Sequence, residues 1–150
     1  MTAIATPSRQ DAMRTLAGAR RDELETTLTQ SGLGCDYVIV RAPEIGLVMV
    51  RGRIGGDGQA FNAGEATVTR AVVRLADGTL GYSYLLGRDA RQAELAALVD
   101  ALWQQPHVRS AVERDVLAPI RARIEADEQA RRAKVAATRV EFFTMQRGED

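Results

Sequence analysis

The chain has 150 residues, a formal net charge of zero and one cysteine among ordinary proportions of apolar and charged residues. That length reads as a single domain, residues 1–150, able to bury a core without covalent staples. Zero net charge argues against a dedicated nucleic-acid or membrane-surface binder, no apolar run is long enough to span a bilayer, and a lone Cys35 excludes an internal disulfide and fits a reducing compartment.

Residues 1–7 are small and polar and read as a loose terminus, without the basic start and long apolar stretch of a signal peptide; a cytoplasmic location is expected. Ser8 and Asp11 are spaced to cap a helix that carries Met13, Leu16 and Ala17 at helical intervals. A second helix starts near Asp22, with Leu24 and Leu28 one turn apart, and ends at Gly32 or Gly34. Asp36–Ala42 is β-branched and aromatic enough for a strand. Pro43-Glu44-Ile45-Gly46 then predicts a tight turn, and Leu47–Ile54 a second strand.

The stretch from Gly46 to Asp89 holds most of the β signal and five arginines. After a glycine-rich loop, a third strand is expected over Ala66–Leu75, and Asp77-Gly78 is the strongest hairpin signal in the chain. A two-residue turn there would place Leu75 opposite Leu80, Val73 opposite Tyr82 and Ala71 opposite Tyr84 on a core face. Arg70, Arg74, Gly81 and Ser83 would then lie on the other face. The expected fold class is α+β. A four-stranded antiparallel meander would be flanked by N-terminal helices and two or three C-terminal helices, with an extended C-terminal tail.

Asp89 can cap the next helix, whose stripe is Leu95, Leu98, Val99 and Leu102, extended by Trp103 and stopped at Pro106. A helix over about Arg109–Leu117 follows, and Pro119 suits the first turn of another. That last helix, Ile120–Thr138, has only Ile120, Ile124 and Val135 as large apolar residues. Val140, Phe142, Phe143 and Met145 lie beyond it. An apolar tail after a polar helix must fold back or dock on another chain, and partner docking by residues 120–150 is the expectation.

No complete catalytic set is visible. GRIGGDG at 52–58 is followed by a strand, whereas a phosphate-binding loop needs a helix N-terminus. Lys134 is the only lysine, so the basic residues are nearly all arginine. Base composition of the genome accounts for that blandly; bidentate anion binding is the sharper reading. Arg51, Arg53, Arg70 and Arg88, with Arg74, are the candidate anion contacts, against the plainer view that they are solvated or ion-paired. His107 stands alone, so neither a histidine metal site nor a triad is expected. Cys35 reads as a small buried apolar group, and Glu65 is a weak acid–base candidate.

The block R-x-G-G-x-G-x-x-F-N-x-G-E-x-T-x-T-R, here Arg53–Arg70, resembles the PhnG family, the G subunit of the bacterial carbon–phosphorus lyase core complex. So do RQDAMRTLA, GRDARQAELAALVDAL and the ending ATRVEFFTMQRGED, so that the resemblance spans nearly the whole chain. It implies an accessory subunit that works with H, I and J subunits. With ATP as substrate, such a complex forms α-D-ribose 1-methylphosphonate 5-triphosphate from methylphosphonate and releases adenine. It implies no catalytic residue, metal or cofactor on this chain, and one cysteine cannot hold the iron–sulfur cluster of the later cleavage step. Two roles follow: a subunit that lends arginines to a shared site, or a scaffold that only assembles the others.

Overall fold

The computed structural model describes residues 8–138. In chain order it has helices α1 (Arg9–Ala17) and α2 (Arg21–Ser31) and strands β1 (Tyr37–Arg53), β2 (Ala60–Leu75) and β3 (Leu80–Leu86). Helix α3 (Ala90–Gln104), the short α4 (Arg109–Ala111), a π-helical stretch (Val112–Leu117) and α5 (Ala118–Ala137) complete it. The local signals act as expected at the helix ends. Ser8 and Asp11 form a capping box, Gly32 ends α2 at φ 64°, and the Asp89 side chain accepts from the Gln92 amide.

Among the described residues the sheet has three strands, not the expected four, in the order β1-β2-β3, all antiparallel. The predicted turn at Pro43–Gly46 does not form, and the two strands expected on either side of it are one strand of 17 residues. The register of β1 on β2 slips between Ile39 and Arg41 and again between Arg41 and Glu44. Pro43 therefore sits in a bulge of an edge strand, where its missing N–H costs no ladder bond.

The hairpin after β2 also differs from expectation. Gly78 takes φ 94°, the Leu75 amide donates to the Thr79 carbonyl (2.9 Å), and the Gly78 amide donates to the Leu75 carbonyl (3.0 Å). The connection has three residues, with glycine in the left-handed position, rather than two. Asp77 fixes it by accepting from the Thr79 amide and hydroxyl at 3.0 and 2.9 Å. One extra loop residue shifts the register by one, so Val73 faces Gly81, Ala71 faces Ser83 and Arg70 faces Tyr84. Ala71, Val73 and Leu75 are in the core as predicted, but their partners are the small residues, and Tyr82 and Tyr84 are on the opposite, open face.

The small residues are there because α3 lies directly on them. A Cβ on Gly81 would come within 2.0 Å of the Ala97 carbonyl oxygen. Helix α3 is buried almost all round, from Ala93 through Trp103, between the sheet on one side and α1, α2 and the π-helical stretch on the other. Leu16, Leu24, Val73, Val99, Val112, Val116, Leu117 and Ile120 are essentially inaccessible, each contributing about 1.5–3 kcal/mol of apolar burial.

The widened turn before α5 has a chemical cause. Pro119 has no amide to donate, and the Ala118 amide reaches back five residues to the Glu113 carbonyl. The wide turn puts Val112, Val116 and Leu117 into the core together. The apolar contacts of helix α5 with the body are made by Ile120 and Ile124, and residues 125–138 are exposed. Its first turn contains Pro119, as expected.

Candidate functional site

Beyond Val68, β1 and β2 leave the body as a two-stranded arm, because β3 ends at Leu86 opposite Val68. The arm pairs Leu47–Arg53 with Ala60–Thr67, and Ile54–Gln59 forms its tip. None of these residues is buried, and Leu47, Met49, Ile54 and Phe61 expose between 46 and 77% of their surface. A further register slip between Val50 and Arg51 leaves Arg51 opposite Asn62 and Arg53 opposite Ala60. The open face of the sheet adds Tyr82, Tyr84 and Leu86. By register Leu47 and Met49 lie on one face of the sheet and Tyr82, Tyr84 and Leu86 on the other, so large apolar side chains are exposed on both faces.

The predicted anion contacts are not gathered into one site. Arg70 Nε and Nη2 both lie on Glu44 Oε2, at 3.1 and 3.0 Å, and Arg41 approaches the same oxygen at 3.8 Å. Arg51 stands seven strand residues further along β1 than Glu44, a separation of about 23 Å. Arg53 donates to the Gly58 carbonyl at 3.3 Å, and Arg74 is exposed on the open face with Arg70. Arg88 is in the turn between β3 and α3, beside Gly87 at φ 101°. Glu65 is exposed opposite Met49 on the arm, with no histidine or cysteine near it in register. Cys35 is exposed rather than buried, in the link between α2 and β1. His107 is exposed after α3. Val140, Phe142, Phe143 and Met145 lie outside the described residues. Among the described residues, no group of three or more histidine, cysteine, aspartate or glutamate side chains could hold a metal.

Two clusters escape sequence reasoning. Asp100 is fully buried in α3 and accepts from Arg9 Nε and Nη2 at 2.9 and 2.7 Å and from the Tyr82 amide at 2.9 Å. The guanidinium of Arg9 also lies over the Tyr82 ring, 5.9 Å from its centre. A carboxylate inside an apolar helix stripe was the one available signal, since a buried charge demands a partner. In the second cluster the Tyr37 hydroxyl bonds to Glu94, and Arg91 donates to both Glu94 and Tyr37, at 2.8 and 3.2 Å. Burial, followed by the Glu94 carboxylate, pushes the Tyr37 hydroxyl above the usual phenol range, so it stays protonated. Arg91 is held by Glu94 and approached by Glu25, which ties up the one cation that lines the adjacent cleft of about 570 Å³ among the described residues.

What the residues offer is thus a surface for another chain and a set of dispersed arginines. Residues 7–148 match the family described as phosphonate metabolism protein PhnG. The chain belongs to the PhnG family. It is 48% identical over 142 residues to the alpha-D-ribose 1-methylphosphonate 5-triphosphate synthase subunit PhnG of Rhizobium meliloti (strain 1021), an alignment covering 95% of this chain and 90% of that one. The match covers the Arg53–Arg70 block and the segments at both ends of the chain on which the family resemblance rests. Among the described residues, no helix is long and apolar enough to cross a membrane.

Proposed function

We propose that this chain is the accessory G subunit of an α-D-ribose 1-methylphosphonate 5-triphosphate synthase, acting in the cytoplasm in organic phosphonate catabolism. It assembles with the H, I and J subunits of a carbon–phosphorus lyase core complex. The complex, not this chain alone, uses ATP to form the ribosyl phosphonate and release adenine. ATP is therefore a substrate of the assembly, and the chain holds no cofactor of its own. The observation that carries this reading is the 48% identity to a named synthase subunit along 95% of the chain. The exposed arm supports it, since a free-standing enzyme has no use for so much uncovered apolar strand.

Between lending arginines and pure assembly, the geometry favours assembly for Arg70. A guanidinium already shared with Glu44 would have to leave a carboxylate to bind a phosphonate. The tail residues Val140, Phe142, Phe143 and Met145 form a second docking element in this reading.

The test is co-expression with the H, I and J subunits, followed by native mass measurement and an adenine-release assay with ATP and methylphosphonate. Assembly that includes this chain, and loss of adenine release when it is omitted, is the expected result. Full release by H, I and J alone would overturn the proposal. Within the complex, Arg70→Ala should leave turnover unchanged, and removal of Val140–Asp150 should weaken assembly.

A further inference from the structure

The two edges of the sheet are built differently. On β3, the outward amide of Tyr82 donates to Asp100 Oδ2 at 2.9 Å, and Gln104 Nε2 donates to the outward Leu80 carbonyl at 2.7 Å. Side chains of α3 thus occupy that edge and block it against another strand. On β1, no main-chain group outside the sheet bonds to residues 37–53 among the described residues, and none of those residues is buried.

The Tyr82 contact also fixes which β1 amides are free. In an antiparallel ladder, groups on successive residues point to alternate sides. Tyr82 points away from β2, so Val72 opposite it points towards β1, as does every second residue down to Gly64. The Thr67 carbonyl agrees, accepting from the Gly87 amide on the β3 side at 2.9 Å. Ile45, Leu47 and Met49 face Thr69, Thr67 and Glu65, so their amides and carbonyls point outward from the free edge.

The side chains along this edge define its chemistry. Ile45, Leu47 and Met49 are more than half exposed. Arg51 and Arg53 continue the strand and make no ion pair among the described residues, whereas Arg9, Arg91 and Arg123 each hold a carboxylate. We propose that β1 from Ile45 to Arg53 receives an extended strand of another subunit, apolar beside Leu47 and Met49 and acidic beside Arg51 and Arg53, so that the sheet continues across the interface. This rests on the multi-subunit reading above. A second copy of this chain does not fit, because the only carboxylate on β1 is Glu44, which Arg41 and Arg70 already share. Edge-to-edge pairing of two copies would crowd the arginines of both along one strip.

Two variants test the proposal in the complete co-expressed complex. Met49→Pro removes an amide from the free edge and none from the ladder with β2. Arg51→Glu with Arg53→Glu reverses the charge and leaves the backbone intact. Each isolated variant should give the circular dichroism and melting curve of the unaltered chain, while binding to the remaining subunits weakens about tenfold or more. Residue-resolved amide exchange should show Leu47 and Met49 slowing on assembly of the unaltered complex. Unchanged exchange at these amides, or unchanged binding by the charge-reversed variant, would overturn the proposal. Protection in the isolated chain together with a dimeric mass would overturn it in favour of self-pairing. Failure of the unaltered chain to join the complex is a different result, which defeats the subunit reading itself.

Discussion

Gly81 shows how much one hydrogen atom in place of a methyl group can decide. It sits on the core face of β3, where the backbone of α3 passes close enough that a Cβ would meet the Ala97 carbonyl at 2.0 Å and the Ala101 methyl at 2.7 Å. Neither neighbour is a flexible side-chain end, so helix and strand would have to separate. Gly81→Ala should therefore destabilise the fold by about 3 kcal/mol, read as a fall in the urea midpoint at constant slope. A change within experimental error would mean that α3 does not pack where described. From the sequence, Gly81 and Ser83 looked like solvent-face residues, because the turn was counted as two residues. Asp77-Gly78 correctly marks the reversal, but which residue takes the left-handed position is settled only when Leu75 bonds to Thr79. The arginines were visible in the same limited way. Their positions on strands were legible, but the capture of Arg70 by Glu44, 26 residues away in sequence, was not.

At the scale of elements, the helix caps were legible because each is made within a turn of chain, as at Ser8–Asp11 and Asp89–Gln92. The missing fourth strand was not, because Pro43 stops a strand in isolation but is tolerated where β1 bulges at a free edge. The arm makes a prediction of its own. Replacing Gly52–Phe61 by Asn-Gly would join Arg51 to Asn62, which already face each other. No residue removed is buried, so the isolated chain should melt within about 2 °C of the parent. A larger loss would show that the arm supports the body.

Helix α5 is attached differently. Arg123 donates from Nε and Nη2 to the two carboxylate oxygens of Glu23 in α2, at 2.8 and 2.7 Å, and from Nη2 to the Gly18 carbonyl at 2.8 Å. The Arg123 bond holds the Glu23 carboxyl below the usual glutamate range, helped by the Arg20 amide and opposed by partial burial. A carboxyl whose folded pKa lies below its unfolded value stabilises the fold above the ordinary glutamate range. That contribution is lost as pH falls through the folded value. Stability should therefore decline on the acid side of the glutamate range, and Glu23→Gln should flatten that part of the curve. Urea midpoints measured from about pH 7 down to about pH 3 would show it. An unchanged slope in the variant would remove Glu23 from the account.

Across the whole molecule, class and most elements could be read from the pattern of apolar residues, caps and glycines, and the family from the Arg53–Arg70 block together with segments at both ends of the chain. What could not be read is how distant parts close on one another. Asp100 inside an apolar helix announces a need for a partner, but nothing local names Arg9. The free edge of β1 becomes visible only once the strand order is known and β3 is seen to be covered.

The Arg9–Asp100 and Arg123–Glu23 contacts join residues 91 and 100 positions apart. They bind α1 to α3 and α2 to the last helix, α5. During synthesis, α1 and α2 must wait without their partners until α3 and then α5 have been translated, because the surfaces that bury Leu16 and Leu24 do not yet exist. Closure over such separations carries a large entropy cost and slows folding. A nascent chain stalled before Ala90 should accordingly leave Leu16 and Leu24 open to protease, and release of the full chain should protect them. Early protection would place the closing step elsewhere. The paired β-arm needs neither terminus, so it can form while the rest is incomplete, presenting a finished docking edge on an unfinished body.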